Sequence, residues 1–117
     1  MKVLDIENVK IIGKNNKYIK GRNGQLILSK EYRDFKNMIS LCCSKKMIEP
    51  PYMIVIDLEM YNDIDAPIQA ILDGLTCIKD DRYIEELYIY KTPIKRGQLG
   101  KVSVICLHKD VKQEILK

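Results

Sequence analysis

The side chains with the most chemical reach in this sequence are acids: Asp63-x-Asp65, where an apolar run gives way to an amphipathic one, and Asp80-Asp81 beyond it. Hard oxygen donors with no histidine or thiolate beside them select Mg²⁺ or Mn²⁺, ions that keep several waters and bridge to phosphate oxygens. An ion held this way polarises a phosphodiester and supplies hydroxide as the nucleophile. The same residue types also suit a plainer task, because aspartates at a strand exit cap helices or face water.

Other chemistries have thinner support. Cys42, Cys43, Cys77 and Cys106 show no C-x-x-C spacing, and adjacent Cys42-Cys43 do not easily share one tetrahedral zinc. They read as reduced, buried small hydrophobes. The single histidine, His108, has no evident triad partner and reads as a surface residue.

The elements that must position these acids follow from periodicity and turn chemistry. Leu4 to Ile12 has a strand-like apolar scatter, and the Asn- and Gly-rich stretch 13–18 and the turn 21–24 frame a short hairpin ending at Leu28. Ser29 is an N-cap for a helix to about Lys46, with Tyr32, Phe35, Met38, Ile39 and Cys42 or Cys43 on its apolar face. Glu49-Pro50-Pro51 stops that helix, and Tyr52 to Met60 alternates as a strand with Ile54, Ile56 and Leu58 inward. Ala66-Pro67 opens a second helix to about Thr76. It carries an apolar stripe of Ile64, Ile68, Ile71, Leu72 and Leu75, and a polar face of Asp65, Gln69 and Asp73. Tyr83 to Lys91 and Val102 to His108 read as a closing hairpin with a long basic tip, and residues 109–117 as a tail or short helix. The fold class is α/β (α+β): one domain over 1–117, with a small mixed sheet in the order β-hairpin-α-β-α-β-β.

Length and charge bound the partners. At 117 residues the chain holds one domain, too little for a two-domain cofactor enzyme. The longest apolar runs fall well short of a bilayer span, and Met1-Lys2-Val3-Leu4-Asp5 does not begin a signal peptide, so a soluble cytoplasmic protein with no membrane partner is expected. The net charge of +4 is unevenly spread, with +6 in residues 1–51 and −2 in residues 52–117. A basic half beside a half whose acids cluster suits a protein that holds a polyanion with one region and a cation with another, although ordinary solvated surface reads the same way.

Three features together resemble the RusA family of Holliday junction resolvases along nearly the whole chain. Asn15-Asn16-Lys17-Tyr18 with Gly21-Arg22 is similar to the family's amino-terminal loop, and Ser29-Lys30-Glu31-Tyr32-Arg33 resembles the start of its first helix. Asp63-Ile64-Asp65, then Asp73-Gly74-Leu75, then Asp80-Asp81 follows the family pattern of D-x-D-N, a helix containing D-A-L, and a D-D pair. The resemblance implies a homodimeric, Mg²⁺-dependent endonuclease, with Mn²⁺ able to substitute. It would resolve four-way DNA junctions by paired nicks during recombination and repair, in bacterial cytoplasm or encoded by a phage or prophage.

Carried over by position, the resemblance implies that Asp63, Asp65 and Asp81 are the catalytic, metal-binding carboxylates, with Asp80 beside them. The phosphate and base contacts expected are Lys14, Asn16, Lys17, Tyr18, Lys20, Arg22 and Lys30 on the amino-terminal segment, Gln69 on the second helix, and Lys95, Arg96 and Lys101 on the basic tip. Tyr18 either stacks on a base or packs under its own loop. Tyr83, Tyr88 and Tyr90 read as strand and interface residues. Two positions depart from the family: its Asn after the second aspartate is Ala66, and its Lys four residues after that aspartate is Gln69. They open a second reading, a branched-DNA-binding protein of the same fold with weak or lost cleavage. A helix of this length also puts Asp63-x-Asp65 and Asp80-Asp81 at opposite ends, roughly 16 Å apart. Either the connection after the helix folds back to bring Asp81 to Asp65, or a second chain supplies the missing carboxylate.

Overall fold

The computed structural model of the chain describes residues 1–12, 18–20, 22, 24, 26–61 and 63–109. The tyrosine-led run after the two prolines sets the architecture. Strand β4 (Tyr52–Met60) puts Tyr52, Ile54, Ile56, Leu58 and Met60 on one face, all fully buried, while Asp57 and Glu59 point to the other and stay exposed. Burying a side chain of this size stabilises the fold by about 1.5–3 kcal/mol, so this strand takes the interior of the sheet.

The strand order is β1 (Lys2–Val9), β6 (Gly100–His108), β4 and β5 (Ile84–Pro93). Two further strands, β2 (Tyr18–Lys20) and β3 (Leu26–Leu28), form a separate antiparallel hairpin. Helices α1 (Lys30–Cys42) and α2 (Asp65–Gly74) join the buried face of the sheet in one core, through Tyr32, Phe35 and Ile39 of α1 and Ala70 and Ile71 of α2. The expected element order and mixed sheet are observed.

Pairing corrects one expectation. The last two strands do not form a hairpin, because β4 lies between them, parallel to β5 and antiparallel to β6. Local sequence sees two alternating runs and a turn. Burial decides which run becomes the neighbour of which, and the most apolar strand requires two neighbours. The connection crosses the end of β4, where Ile94 N–H donates to the Met60 carbonyl at 3.3 Å. Gly100 is required where the chain re-enters the sheet, since a Cβ there would collide with the Glu59 carbonyl.

Both helices end earlier than their apolar periodicity predicts. Ser29 caps α1 as expected, its Oγ accepting from Tyr32 N–H at 3.1 Å. The helix stops at Cys42 rather than near Lys46 because the chain is taken up by the sheet: Ser44 N–H donates to the Val3 carbonyl at 2.8 Å. Cys43, not Cys42, continues the buried stripe, and Cys42 is exposed. α2 ends at Gly74, where the helices come so close that a Cβ would lie 2.8 Å from Ile39 Cγ2 and 3.0 Å from the Lys36 carbonyl. Ser40 Oγ donates to the Gly74 carbonyl at 3.0 Å across this contact. Among the described residues no helix is long and apolar enough to cross a membrane.

Candidate functional site

Asp63 and Asp65 stand where β4 passes into α2, Asp65 being the first residue of the helix, and both are exposed. α2 then carries the chain back to the opposite end of the sheet, its face of Asp65, Gln69 and Asp73 turned outward as the sequence predicts. There Asp80 and Asp81 open a single 3-10 turn, Asp81–Tyr83, that leads into β5. Because β4 and β5 are parallel, with Tyr52 beside Ile84 and Met60 beside Pro93, the two acidic groups lie at opposite ends of a nine-residue strand. At about 3.3 Å per residue that strand alone spans roughly 26 Å.

The connection after α2 does not fold back. Ile48 N–H donates to the Cys77 carbonyl at 2.8 Å, and Lys79 N–H donates to the Tyr52 hydroxyl at 3.0 Å. The same hydroxyl donates to the Ile48 carbonyl at 2.9 Å. Tyr52 is wholly buried and acts as a clamp that fixes the residue just before Asp80. Its position in the core strand was legible in the sequence; the task of its hydroxyl was not. A second tyrosine has a similar part, since Tyr32 OH donates to Asp73 Oδ2 at 3.4 Å.

Electrostatics distinguish the two paired acids. Asp80 caps the 3-10 turn, accepting from Arg82 N–H at 2.9 Å, and this bond, with the proton shared by Asp81, holds its carboxyl below the usual carboxylate range. Asp81 is pushed upward by sharing a proton with Asp80, with the charges of Asp80 and Asp73 adding to the effect. Both are solvent-facing, and Asp73, Asp80 and Asp81 form a local concentration of negative charge. A cation placed there relieves the repulsion that raises Asp81. Within one chain, however, the described residues bring no three acid, histidine or cysteine side chains together as a metal-holding group. The acids stand in two separate groups.

The expected cations divide between the ends. Lys95 and Arg96 are exposed in the turn after β5, at the Asp63 end, where Gly97 takes a φ of +85° and Lys95 N–H donates to Gln98 Oε1 at 2.9 Å. Lys101 is not at a tip: it lies in β6, 4.0 Å from Asp5 Oδ1 and 3.8 Å from Glu7 Oε1. Its charge is engaged by Asp5 and Glu7 of β1. At the Asp81 end, Lys79 pairs with Glu49 at 3.6 Å, and Arg82 reaches Asp80 at 3.7 Å with its guanidinium 4.9 Å from the centroid of the Tyr83 ring. Arg22, Lys30 and Gln69 are exposed. Lys14, Asn16 and Lys17, the side chains of Tyr18 and Lys20, and the C-terminal helix expected after residue 109 lie outside the described residues.

The cysteines and His108 stand apart from both ends. Cys43, Cys77 and Cys106 are buried in the core, where hydrogen bonding to Cys106 and burial push the Cys77 thiol up, and the bond from Cys77 draws Cys106 down. His108, at the end of β6, is half-buried rather than fully at the surface. No protein-family model matches the chain, and a search of curated proteins returns no match.

Proposed function

We propose that two copies of this chain act together as a Mg²⁺-dependent endonuclease on four-way DNA junctions, as the RusA resemblance implies. The observation that carries the reading is the separation of the carboxylates to two fixed ends of the βαβ unit. Each end holds exposed acids with basic residues nearby, and among the described residues of one chain neither forms a complete metal-holding set. Two chains related by a dyad complete both sites at once, and paired symmetric nicks across a junction require two such sites. Asp63 and Asp65 of one copy then face Asp81 of the other, with Asp80 ordering the turn that presents Asp81. A bound Mg²⁺ supplies Lewis acidity toward the phosphodiester. Lys95 and Arg96 hold the phosphates beside it, with the amino-terminal basic residues as further contacts. The setting that goes with this activity is a bacterial or phage-encoded cytoplasmic protein.

A second reading has one observation in its favour. Gln69 is exposed on α2, midway between Asp65 and Asp73, where the family places a lysine suited to assist phosphate chemistry. A chain without that charge would grip a junction and cleave it feebly or not at all.

Incubation with a labelled four-way junction, with and without Mg²⁺ or Mn²⁺, separates the two. The nuclease reading expects metal-dependent nicks that Asp63→Asn and Asp81→Asn each abolish. Tight junction binding with no cleavage in either metal selects the binder. Equal affinity for a junction and a linear duplex would remove both.

A further inference from the structure

One face of the sheet is not used by the helices. Both pack on the side that carries Ile54, Ile56 and Leu58, and among the described residues no helix lies over the other side. A sheet face left to water normally carries polar side chains along its strands. This one does so over only half of its length. Strand register sets Leu107 beside Met53, and in the next row Ile105 and Tyr88 on either side of Val55. Met53 is buried, Val55, Ile105 and Leu107 are half-buried, and Tyr88 is 40% exposed. The two rows beyond change character: Asp57 lies between Ser103 and Tyr90, and Glu59 between Lys101 and Thr92. Both acids are exposed, and Tyr90 is 58% exposed.

Charge selects what this face takes. Among the described residues Asp57 and Glu59 make no ion pair, and Lys101, the register neighbour of Glu59, is engaged instead by Asp5 and Glu7 at 4.0 and 3.8 Å. Asp5 sits beside Ser103 in the same row as Asp57. The acidic end therefore holds Asp5, Glu7, Asp57 and Glu59 against Lys101 and the Lys2 that reaches Asp5 at 3.4 Å, on a chain whose net charge is +4. Phosphates are repelled here, and a second copy of the chain would set one acidic face against another. A cation carried on an apolar body fits both halves.

We infer that this face docks a helix of a partner protein, apolar along one stripe and bearing lysine or arginine at one end. From Met53 to Glu59 the face runs roughly 20 Å along the strand, the length of a helix of about 13 residues. The apolar stripe covers Val55, Ile105 and Tyr88, an apolar patch with a polar border of the kind that marks interaction surfaces. A cation in the terminal turn settles between the Asp57 carboxylate and the Tyr90 ring, which are register neighbours, and takes an ion pair from one and a cation–π contact from the other. Asp63 and Asp81 stand beyond the two ends of the paired strands, so the docked helix leaves them open. The inference goes beyond the nuclease reading and does not depend on it.

The test uses two fluorescein-labelled peptides of about 14 residues with one helical pattern, leucine recurring every three or four residues. One carries arginine in its last turn and the other glutamate. Fluorescence anisotropy with the full chain should show saturable binding of the arginine peptide alone. Asp57→Lys with Glu59→Lys, both at exposed positions, should weaken that binding roughly tenfold and transfer it to the glutamate peptide. Glu31→Lys with Asp34→Lys makes the same change of charge at exposed positions of α1 and should alter affinity by less than about twofold. Circular dichroism should be unchanged in both variants. No saturable binding, equal binding of the two peptides, or an equal loss in the α1 variant would overturn the inference. So would a fall in the mass found by light scattering for Tyr90→Lys, which would give the face to a second copy. None of these readouts involves DNA, so a chain that binds the arginine peptide and cleaves nothing keeps the docking face and loses the nuclease, whereas one that cleaves and binds neither peptide does the reverse.

Discussion

Replacing Tyr52 with phenylalanine isolates the clamp that fixes the Asp80-Asp81 end. The ring stays in a fully buried position and only the hydroxyl is lost, so packing is preserved. What disappears is the acceptor for Lys79 N–H at 3.0 Å and the donor to the Ile48 carbonyl at 2.9 Å. Leaving a part-buried donor and acceptor without this partner costs about 1–3 kcal/mol, and taking the middle of that range gives about 2 kcal/mol. For a chain of this size that lowers the melting temperature by roughly 6–12 °C. Thermal and urea unfolding followed by circular dichroism read the loss, which should appear as a lower urea midpoint at constant slope. Tyr83→Phe is the matched control: its hydroxyl accepts from exposed Arg82 at 3.0 Å, and its loss should cost under about 0.5 kcal/mol. A Tyr52→Phe protein as stable as the Tyr83→Phe control would refute the clamp.

Gly74→Ala should destabilise by about 1–3 kcal/mol despite alanine's better helix propensity, because its Cβ would press on Ile39 and on the Lys36 carbonyl where α1 and α2 touch; urea unfolding checks it. An aromatic disulfide reagent should titrate Cys42 alone in the folded chain and all four thiols after unfolding, since the other three are buried. If eight cations neutralise phosphates in the junction complex, log affinity falls with log salt at a slope of about −7. Lys95→Ala with Arg96→Ala, which removes four cations from the homodimer, should make that slope shallower by about 3.6, while Lys101→Ala, already engaged by Asp5 and Glu7, should leave it nearly unchanged.

Features set by neighbours in the chain were the ones legible in the sequence. The alternation in Tyr52–Met60 and the Ser29 cap each follow from contacts within a few residues, and both stand in the structure. So does the outward set Asp65, Gln69 and Asp73, which a helical repeat places on one face. Choices among distant partners were not legible. The β5–β6 hairpin failed because β4 outcompeted β6 as the neighbour of β5, and the placement of Lys101 failed with it, since only the pairing of β6 with β1 reveals the acids beside it. The bond from Tyr52 to Lys79 joins residues 27 apart, and the early stop of α1 depends on a carbonyl in β1. For the acids, sequence established their order and the helix between them. The parallel pairing of β4 with β5 then placed them at opposite ends of the βαβ unit, with the connection tied down at the far end by the bond from Lys79 N–H to the Tyr52 hydroxyl.

The proposal that Asp63 and Asp65 of one chain act with Asp81 of another is tested most directly by mixing two variants expected to be inactive. Asp63→Asn and Asp81→Asn proteins, each without cleavage alone, are unfolded together, refolded and given a labelled four-way junction with Mg²⁺. In a shared arrangement each heterodimer keeps one intact site, built from Asp63 of one chain and Asp81 of the other. Random pairing makes half of the dimers heterodimers, so nicking should return to about one quarter of the wild-type rate. If each site lay within a single chain, every site in the mixture would carry a substitution, and cleavage would stay at the background of either variant alone.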